Sequence, residues 1–218
     1  MPEPLTLIGV GVGVFTVMGQ LARRYFEGAK EVFDILLGLV CVVLTLPLLA
    51  ACAIAIKLSS KGHVLYTQVR VGKDGRPFRM YKLRTMYIDA EAKTGAAWAQ
   101  RDDPRVVPAC RWMRRSHVDE LPQLLNVIRG EMSLVGPRPE RPEILAELEK
   151  AYPEVHKRVA VKPGITGLAQ VRAGYDTTVD AFRRKLQSDL EYIEKRRWAT
   201  ELKILTSTFA KVYDKGAH

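Results

Sequence analysis

Residues 35–56 read ILLGLVCVVLTLPLLAACAIAI, twenty-two consecutive residues without a charge, closed by Asp34 on one side and Lys57 on the other. As a helix this run would rise about 33 Å, close to the thickness of bilayer hydrocarbon. Its length and composition predict a membrane helix. It begins too far from the N-terminus and runs too long to be the apolar part of an ordinary signal peptide. Only 47% of the whole chain is hydrophobic, so the run stands out. A buried core helix in a soluble domain is the competing, weaker reading.

Pro47 lies near the middle of the run. A proline ring cannot donate the i→i−4 hydrogen bond and clashes with the preceding turn, so it predicts a kink. Two geometries follow: a straight span, or a bent helix that enters and leaves one leaflet. Arg23, Arg24 and Lys30 precede the run, and Lys57 and Lys61 follow it. Basic flanks prefer the cytoplasmic side, which favours the bent, re-entrant form. The carbonyl freed at the bend needs a partner, and Thr45 is the candidate. Residues 5–18 form a second, shorter apolar stretch with Gly9, Gly11 and Gly13. At fourteen residues it is short for a span, and it is read either as lying at the interface or as packing on the main helix.

The remainder is basic. A net charge of +10 points to an anionic partner: nucleic acid, lipid head groups or a phosphorylated substrate. Nucleic acid is disfavoured, because neither a reader fold nor an aromatic–basic stripe is present. Cys41, Cys52 and Cys110 show neither zinc-ligand spacing nor an even count, so no disulfide scaffold is expected.

Residues 64–80 alternate apolar and polar around Lys73-Asp74-Gly75, the pattern of a short hairpin. Arg70, Lys73, Arg76, Arg79, Lys82 and Arg84 crowd this region, a density suited to a diphosphate or anionic lipid. Asp102 and Asp103 precede Pro104 at a turn, where adjacent carboxylates are usually solvated rather than metal-bound. Leu121, Leu124, Leu125 and Ile128 recur at helical spacing. Asp119 and Glu120 lie at the start of that helix, before Pro122, with Arg111, Arg114 and Arg115 just upstream. Ser116 or Asp119 would cap it. Either way the carboxylates lie at the positive end of a helix, an environment that also holds phosphate. Pro137 and Pro139 stiffen the backbone on both sides of Arg138, so its guanidinium would be presented to an anion with little entropy to lose.

Residues 143–150 read as helical, residues 161–171 as a glycine-punctuated turn followed by extended chain. Phe182, Leu186, Leu190 and Ile193 share one helical face, and a C-terminal helix carries Leu202, Ile204, Leu205 and Phe209. That last helix is read equally well as core-facing or as membrane-surface.

An ordered series of motifs resembles the bacterial sugar transferases, the monotopic phosphoglycosyl transferases. It runs from residue 30 to about 213. Residues 30–34 (KEVFD) look like the entry to the family's membrane helix, and residues 81–86 (YKLRTM) like its aromatic-Lys-x-Arg segment. DDPR, then DELPQLLN at 119–126, GEMSLVGPRP at 130–139 and KPGITGLAQV at 162–171 follow in order. Departures are local: Glu31 where arginine is usual, Leu46 for serine before Pro47, His117 for serine or threonine, Leu168 for tryptophan.

The resemblance implies an α/β, mostly helical fold. It would comprise an N-terminal extension (1–29), a re-entrant, Pro47-kinked membrane helix (30–57), a small cytosolic catalytic domain (58–213) with a hairpin and surface amphipathic helices, and a short tail (214–218). It implies transfer of a sugar-1-phosphate from a UDP-sugar to polyprenyl (undecaprenyl) phosphate. Asp119 would be the nucleophile and Glu120 its partner, organising Mg2+ or activating the acceptor. Lys82, Arg84, Arg114, Arg138 and the flanking Pro137 and Pro139 would bind substrate. The implied location is the cytoplasmic face of the bacterial plasma membrane, against anionic lipid. The segment at 172–180 leans toward the exopolysaccharide branch.

Overall fold

The computed structural model describes residues 5–90, 103–172 and 179–213. A single helix, α1 (Leu5–Ser59), opens the chain and runs for 55 residues, about 80 Å at 1.5 Å per residue. Its stretch Met18–Ser59 is long and apolar enough to cross a membrane. The helix continues through Pro47. Thr45 donates its hydroxyl to the Cys41 carbonyl at 2.7 Å. That differs from the expected partner: proline at 47 frees the carbonyl of Val43, one helical turn before it. Bonding from threonine back to the preceding turn bends a helix slightly.

Both halves of α1 around Pro47 pack on the same domain. Phe33, Leu37, Cys41 and Val42 join a core of Phe78, Met80, Leu124, Val127, Met132, Leu134, Val135, Val161, Tyr192 and Ile204. Leu49, Cys52, Ala55 and Ile56 join Leu83, Val107, Cys110 and Met113. The opposite face of α1 remains open: Leu36, Val40, Val43 and Leu44 keep half to three-quarters of their surface. A row of exposed aliphatics this long is unsuited to water and marks an interaction surface.

After α1 the chain turns at Gly62, whose φ is +114° and where a Cβ would lie 2.6 Å from Ile88 Cδ1. The expected hairpin follows: β1 (Leu65–Val71) pairs antiparallel with β2 (Pro77–Leu83), from Leu65 opposite Leu83 to Val71 opposite Pro77. Its turn contains Asp74 and Gly75, both with positive φ, a conformation in which Asp and Gly are least strained. Phe78, Met80 and Leu83 of β2 face the core while Arg79 faces out.

Next come α2 (Arg111–Arg115), a 3-10 turn (Val118–Gln123) and α3 (Leu124–Ile128). Two short strands, β3 (Ser133–Val135) and β4 (Gly164–Thr166), pair in parallel. Their backbones approach closely enough that a Cβ on Gly164 would overlap Gly136 N, 2.0 Å away. This pairing had no period-2 signal, because each strand has three residues. Between them lie α4 (Pro142–Ala151) and a 3-10 stretch (Pro153–Ala160). Beyond β4 the expected extended chain is instead a helical turn, α5 (Leu168–Arg172). Val171 N donates to Gly167 O, and Gln170 Nε2 reaches back to the Ile165 carbonyl at 2.9 Å.

α6 (Val179–Glu194) buries Phe182, Leu186 and Tyr192, and α7 (Trp198–Tyr213) buries Glu201 and Ile204 while leaving Leu202 and Phe209 exposed. Both readings of the last helix thus have residues on their side. A buried polar knot ties α1 to α6, α7 and β3. Lys30 pairs with Asp34 and Glu201 at 3.2 and 2.8 Å. Ser133 donates to Asp34 at 2.7 Å, and the Tyr192 hydroxyl to Glu201 at 2.8 Å. Charges this deep are tolerated only when paired in this way.

Candidate active site

The site begins at His117. Its left-handed conformation (φ 56°) ends α2 and redirects the chain into the 3-10 turn that carries Asp119 and Glu120. Neither expected cap forms: the turn has no side-chain cap, and Ser116 Oγ donates back to the Trp112 carbonyl at 2.8 Å. Pro122 is buried inside the turn, where only its missing N–H matters.

Asn126, fully buried on α3, fastens this turn to β2. Its Oδ1 accepts from Tyr81 N at 3.1 Å, and its Nδ2 donates to Arg79 O at 2.7 Å and to Glu131 Oε2 at 2.7 Å. The asparagine takes the place of a neighbouring strand, so the register of β2 against the turn is set to one residue. The next residue along, Lys82, then meets Glu120 at 2.8 Å. From the opposite side Arg138 grips the same carboxylate with two nitrogens, at 2.6 and 3.0 Å. The planar guanidinium suits this fork-on-fork geometry.

The two carboxylates therefore live differently. Burial alone would raise Glu120, but Arg138 and Lys82 hold it well below the usual carboxylate range. Asp119 is 8% exposed. Burial first, and then the Glu120 charge, push it up to about 6, against the pull of Lys82, Arg114 and Arg138. Among the described residues its carboxylate accepts no side-chain hydrogen bond. Burial also draws the Lys82 ammonium below its ordinary value, and Glu120 opposes this. An ionised glutamate locked between two cations stands beside an aspartate that is buried, raised and open. This pattern of split carboxylates is one that reactive sites use.

Of the residues singled out in the sequence, Asp119, Glu120, Lys82 and Arg138 are thus brought together, and Arg114 is near enough to act on Asp119 electrostatically. Pro137 and Pro139 flank Arg138 in a turn whose carbonyls are held by neighbouring elements. Arg84 is employed elsewhere: its guanidinium donates to the carbonyls of His63 (2.6 Å), Lys61 (2.6 Å) and Ser60 (3.2 Å), closing the C-terminal end of α1. Asp103 pairs with Arg105 two residues on, and Asp102 lies outside the described residues. No group of three or more potential metal ligands occurs among the described residues. Sequence reasoning missed Asn126. Its one signal was a polar residue on the apolar side of a short helix.

Comparison with known proteins places this geometry. Residues 25–215 match the bacterial sugar transferase family, and the chain belongs to that family. It is 42% identical over 192 residues to a UDP-glucose:undecaprenyl-phosphate glucose-1-phosphate transferase of Caulobacter vibrioides, covering 87% of this chain and 72% of that protein. It is 45% identical over 180 residues to an undecaprenyl-phosphate glucose phosphotransferase of Komagataeibacter xylinus, covering 80% of this chain and 34% of that protein. It is 42% identical over 165 residues to an Aeromonas hydrophila UDP-N-acetylgalactosamine-undecaprenyl-phosphate N-acetylgalactosaminephosphotransferase, covering 76% and 39%. The chain therefore spans about a third to two-fifths of the latter two. The three names share an acceptor; two give glucose as the sugar and the third N-acetylgalactosamine.

Proposed function

We propose that the protein transfers a sugar-1-phosphate from a UDP-sugar to undecaprenyl phosphate, through a phosphosugar carried on Asp119. The observation that carries this reading is the open, buried Asp119 carboxylate beside a Glu120 already engaged by Lys82 and Arg138. A carboxylate stripped of hydrogen bonds is a better nucleophile than a solvated one, and aspartyl phosphates are established carriers of phosphoryl groups. An Asp119 oxygen attacks the β-phosphorus of the donor; the bond to the α-phosphate oxygen breaks and UMP leaves with that electron pair. An oxygen of undecaprenyl phosphate then attacks the same phosphorus, the aspartyl P–O bond breaks, and the carboxylate is restored. Lys82, Arg114 and Arg138 provide positive charge along this path, with Pro137 and Pro139 holding Arg138 in place.

The residues fit Mg2+, which takes one or two carboxylates plus substrate phosphates. Asp119 is the available ligand; Glu120 has already given both oxygens to cations. When bound, the ion neutralises charge on the diphosphate. Glu120 then serves chiefly to hold Lys82 and Arg138 apart and aimed.

Packing and charge support a re-entrant arrangement. The domain touches α1 both before and after Pro47, and basic residues flank the apolar run at both ends, which favours one side of the bilayer for both flanks. Residues 30–57 are accordingly read as re-entrant, with the open aliphatic face toward lipid and residues 1–29 as an extension. Exposed Arg23, Arg24, Lys57 and Lys61 face anionic head groups on the cytoplasmic surface of the bacterial plasma membrane. The isoprene units of a polyprenyl tail stay in the bilayer while the phosphate comes to Asp119.

The test is UMP release from a panel of UDP-sugars by protein in nanodiscs, with Mg2+ and undecaprenyl phosphate, beside Asp119→Asn. Acceptor-dependent release from one donor, abolished in the variant, is the expected result and names the sugar. Full activity in Asp119→Asn would overturn the covalent route. For topology, single cysteines at Arg24 and Lys61 in a background lacking Cys41, Cys52 and Cys110 should both react with an impermeant maleimide from the cytoplasmic side only. Labelling from opposite sides would establish a span.

A further inference from the structure

The turn that presents Arg138 is held by more than its prolines. Four consecutive carbonyls each accept a hydrogen bond, and the donors come from three elements. Pro137 O accepts from Gly164 N at 2.9 Å, and Glu140 O from Val71 N at 3.0 Å. Between them, Arg138 O accepts from Arg158 Nη2 at 2.9 Å and Pro139 O from Arg70 Nη1 at 3.1 Å. The two central contacts are made by side chains, and of these Arg158 is the more deeply set. It is buried at the 3-10 stretch, its Nε donates to buried Asp189 of α6 at 2.8 Å, and its Nη1 lies 3.8 Å from Glu140. One guanidinium thus joins α6 to the peptide bond that carries Arg138.

Taking Asp119 and Glu120 as the reaction centre, we propose that Arg158, held by Asp189, is a positioning residue for the transfer reaction. It fixes the Arg138 backbone so that the Arg138 guanidinium meets Glu120 and the incoming phosphate. Neither Arg158 nor Asp189 lies in the acidic motif or the Pro-Arg-Pro turn; the fold brings them there over a separation of 20 and 51 residues from Arg138. The chemistry of the pair explains the choice of residue. Arginine has three nitrogens arranged to serve a carboxylate and a carbonyl at once, and lysine has one.

Two variants separate positioning from simple support. Arg158→Lys keeps a positive charge for Asp189 and loses the second arm toward Arg138 O. Arg158→Met combined with Asp189→Leu removes both charges together, a replacement that buried ion pairs often tolerate. Each is assayed in nanodiscs for UMP release as a function of donor concentration, alongside wild type and Asp119→Asn. Both should show kcat reduced by about tenfold to a hundredfold, the scale of an ångström misplacement at a reacting centre. The donor KM should rise severalfold, because the Arg138 guanidinium meets the incoming phosphate and a shifted backbone withdraws it. KM does not depend on how much of a preparation is active, so partial misfolding does not mimic its rise.

A kcat and a donor KM both within twofold of wild type in Arg158→Lys would overturn the proposal. If Asp119→Asn is inactive while the Arg158 variants behave as wild type, only the positioning role fails. If Asp119→Asn retains full activity, the reaction centre itself has been misassigned.

Discussion

Replacing Asp119 with asparagine should make the protein more stable at neutral pH while removing its activity. The carboxyl is raised from 3.8 to about 6, first by burial and then by Glu120. A raised acid binds its proton more tightly in the folded state than in the unfolded one. Stability is therefore greatest below about pH 4 and is lost as pH rises through the window between 3.8 and about 6. The shift of roughly two units corresponds to about 3 kcal/mol at pH 8, falling to about 0.5 kcal/mol at pH 4. Asparagine has the same shape and no charge to bury, so it escapes this cost. For a chain of this size, 3 kcal/mol moves the melting midpoint by about 6–12 °C. The measurement is thermal unfolding of both proteins in identical nanodiscs at pH 8 and pH 4, without substrate or divalent ions. The expected pattern is a clear advantage for Asp119→Asn at pH 8 that nearly disappears at pH 4. An equal or lower midpoint at pH 8, or an advantage independent of pH, would refute the claim that Asp119 is held ionised against its environment.

Four further outcomes follow from packing. Lys30→Met leaves Asp34 and Glu201 buried without their cation and should cost about 3–5 kcal/mol; a loss below 1 kcal/mol in denaturant titration would contradict the pairing. Arg84→Lys cannot serve three carbonyls at once, so stability should drop by about 2–4 kcal/mol with donor KM unchanged. A raised KM with an unchanged melting midpoint would restore Arg84 to the substrate site. Gly62→Ala should lose about 1–3 kcal/mol, since φ is +114° and Ile88 blocks the new methyl. Gly75→Ala, where φ is positive but the space is open, should lose only about 1 kcal/mol.

The sequence exposed those parts of the fold that rest on local pattern. The apolar run, the Asp74-Gly75 hairpin, the helix over 143–150 and the stripe of Phe182 and Leu186 all have a period or a turn residue behind them. What escaped is too short to show a period or depends on long-range meeting. The β3–β4 pair has too few residues for alternation, and α5 is a brief helical turn closed by local bonds from Val171 N to Gly167 O and from Gln170 Nε2 to Ile165 O. The same division holds at the site. Asp119 and Glu120 were legible as adjacent carboxylates, and Arg138 as a guanidinium between prolines. That Glu120 is the clamped member and Asp119 the open one depends on Lys82 arriving from β2, whose register Asn126 sets 45 residues away from Tyr81. Arg84 adds a contact that no local pattern announces: its guanidinium donates to three backbone carbonyls.

The knot of Lys30, Asp34, Ser133, Tyr192 and Glu201 has a practical corollary. A tether is a part that can be cut off, leaving the rest intact. Here the helix that meets lipid also supplies the counter-ion for a carboxylate in the middle of the globular half, and it lines two of that half's hydrophobic clusters. Deleting it to obtain a water-soluble fragment would strand Glu201 and open Val127 and Met113 to solvent. Solubility is better sought by recolouring the outer stripe, Leu36, Val40, Val43 and Leu44, with polar side chains and leaving the inner face untouched. The boundary between anchor and enzyme runs lengthwise along α1, between its two faces, rather than across the chain at any residue.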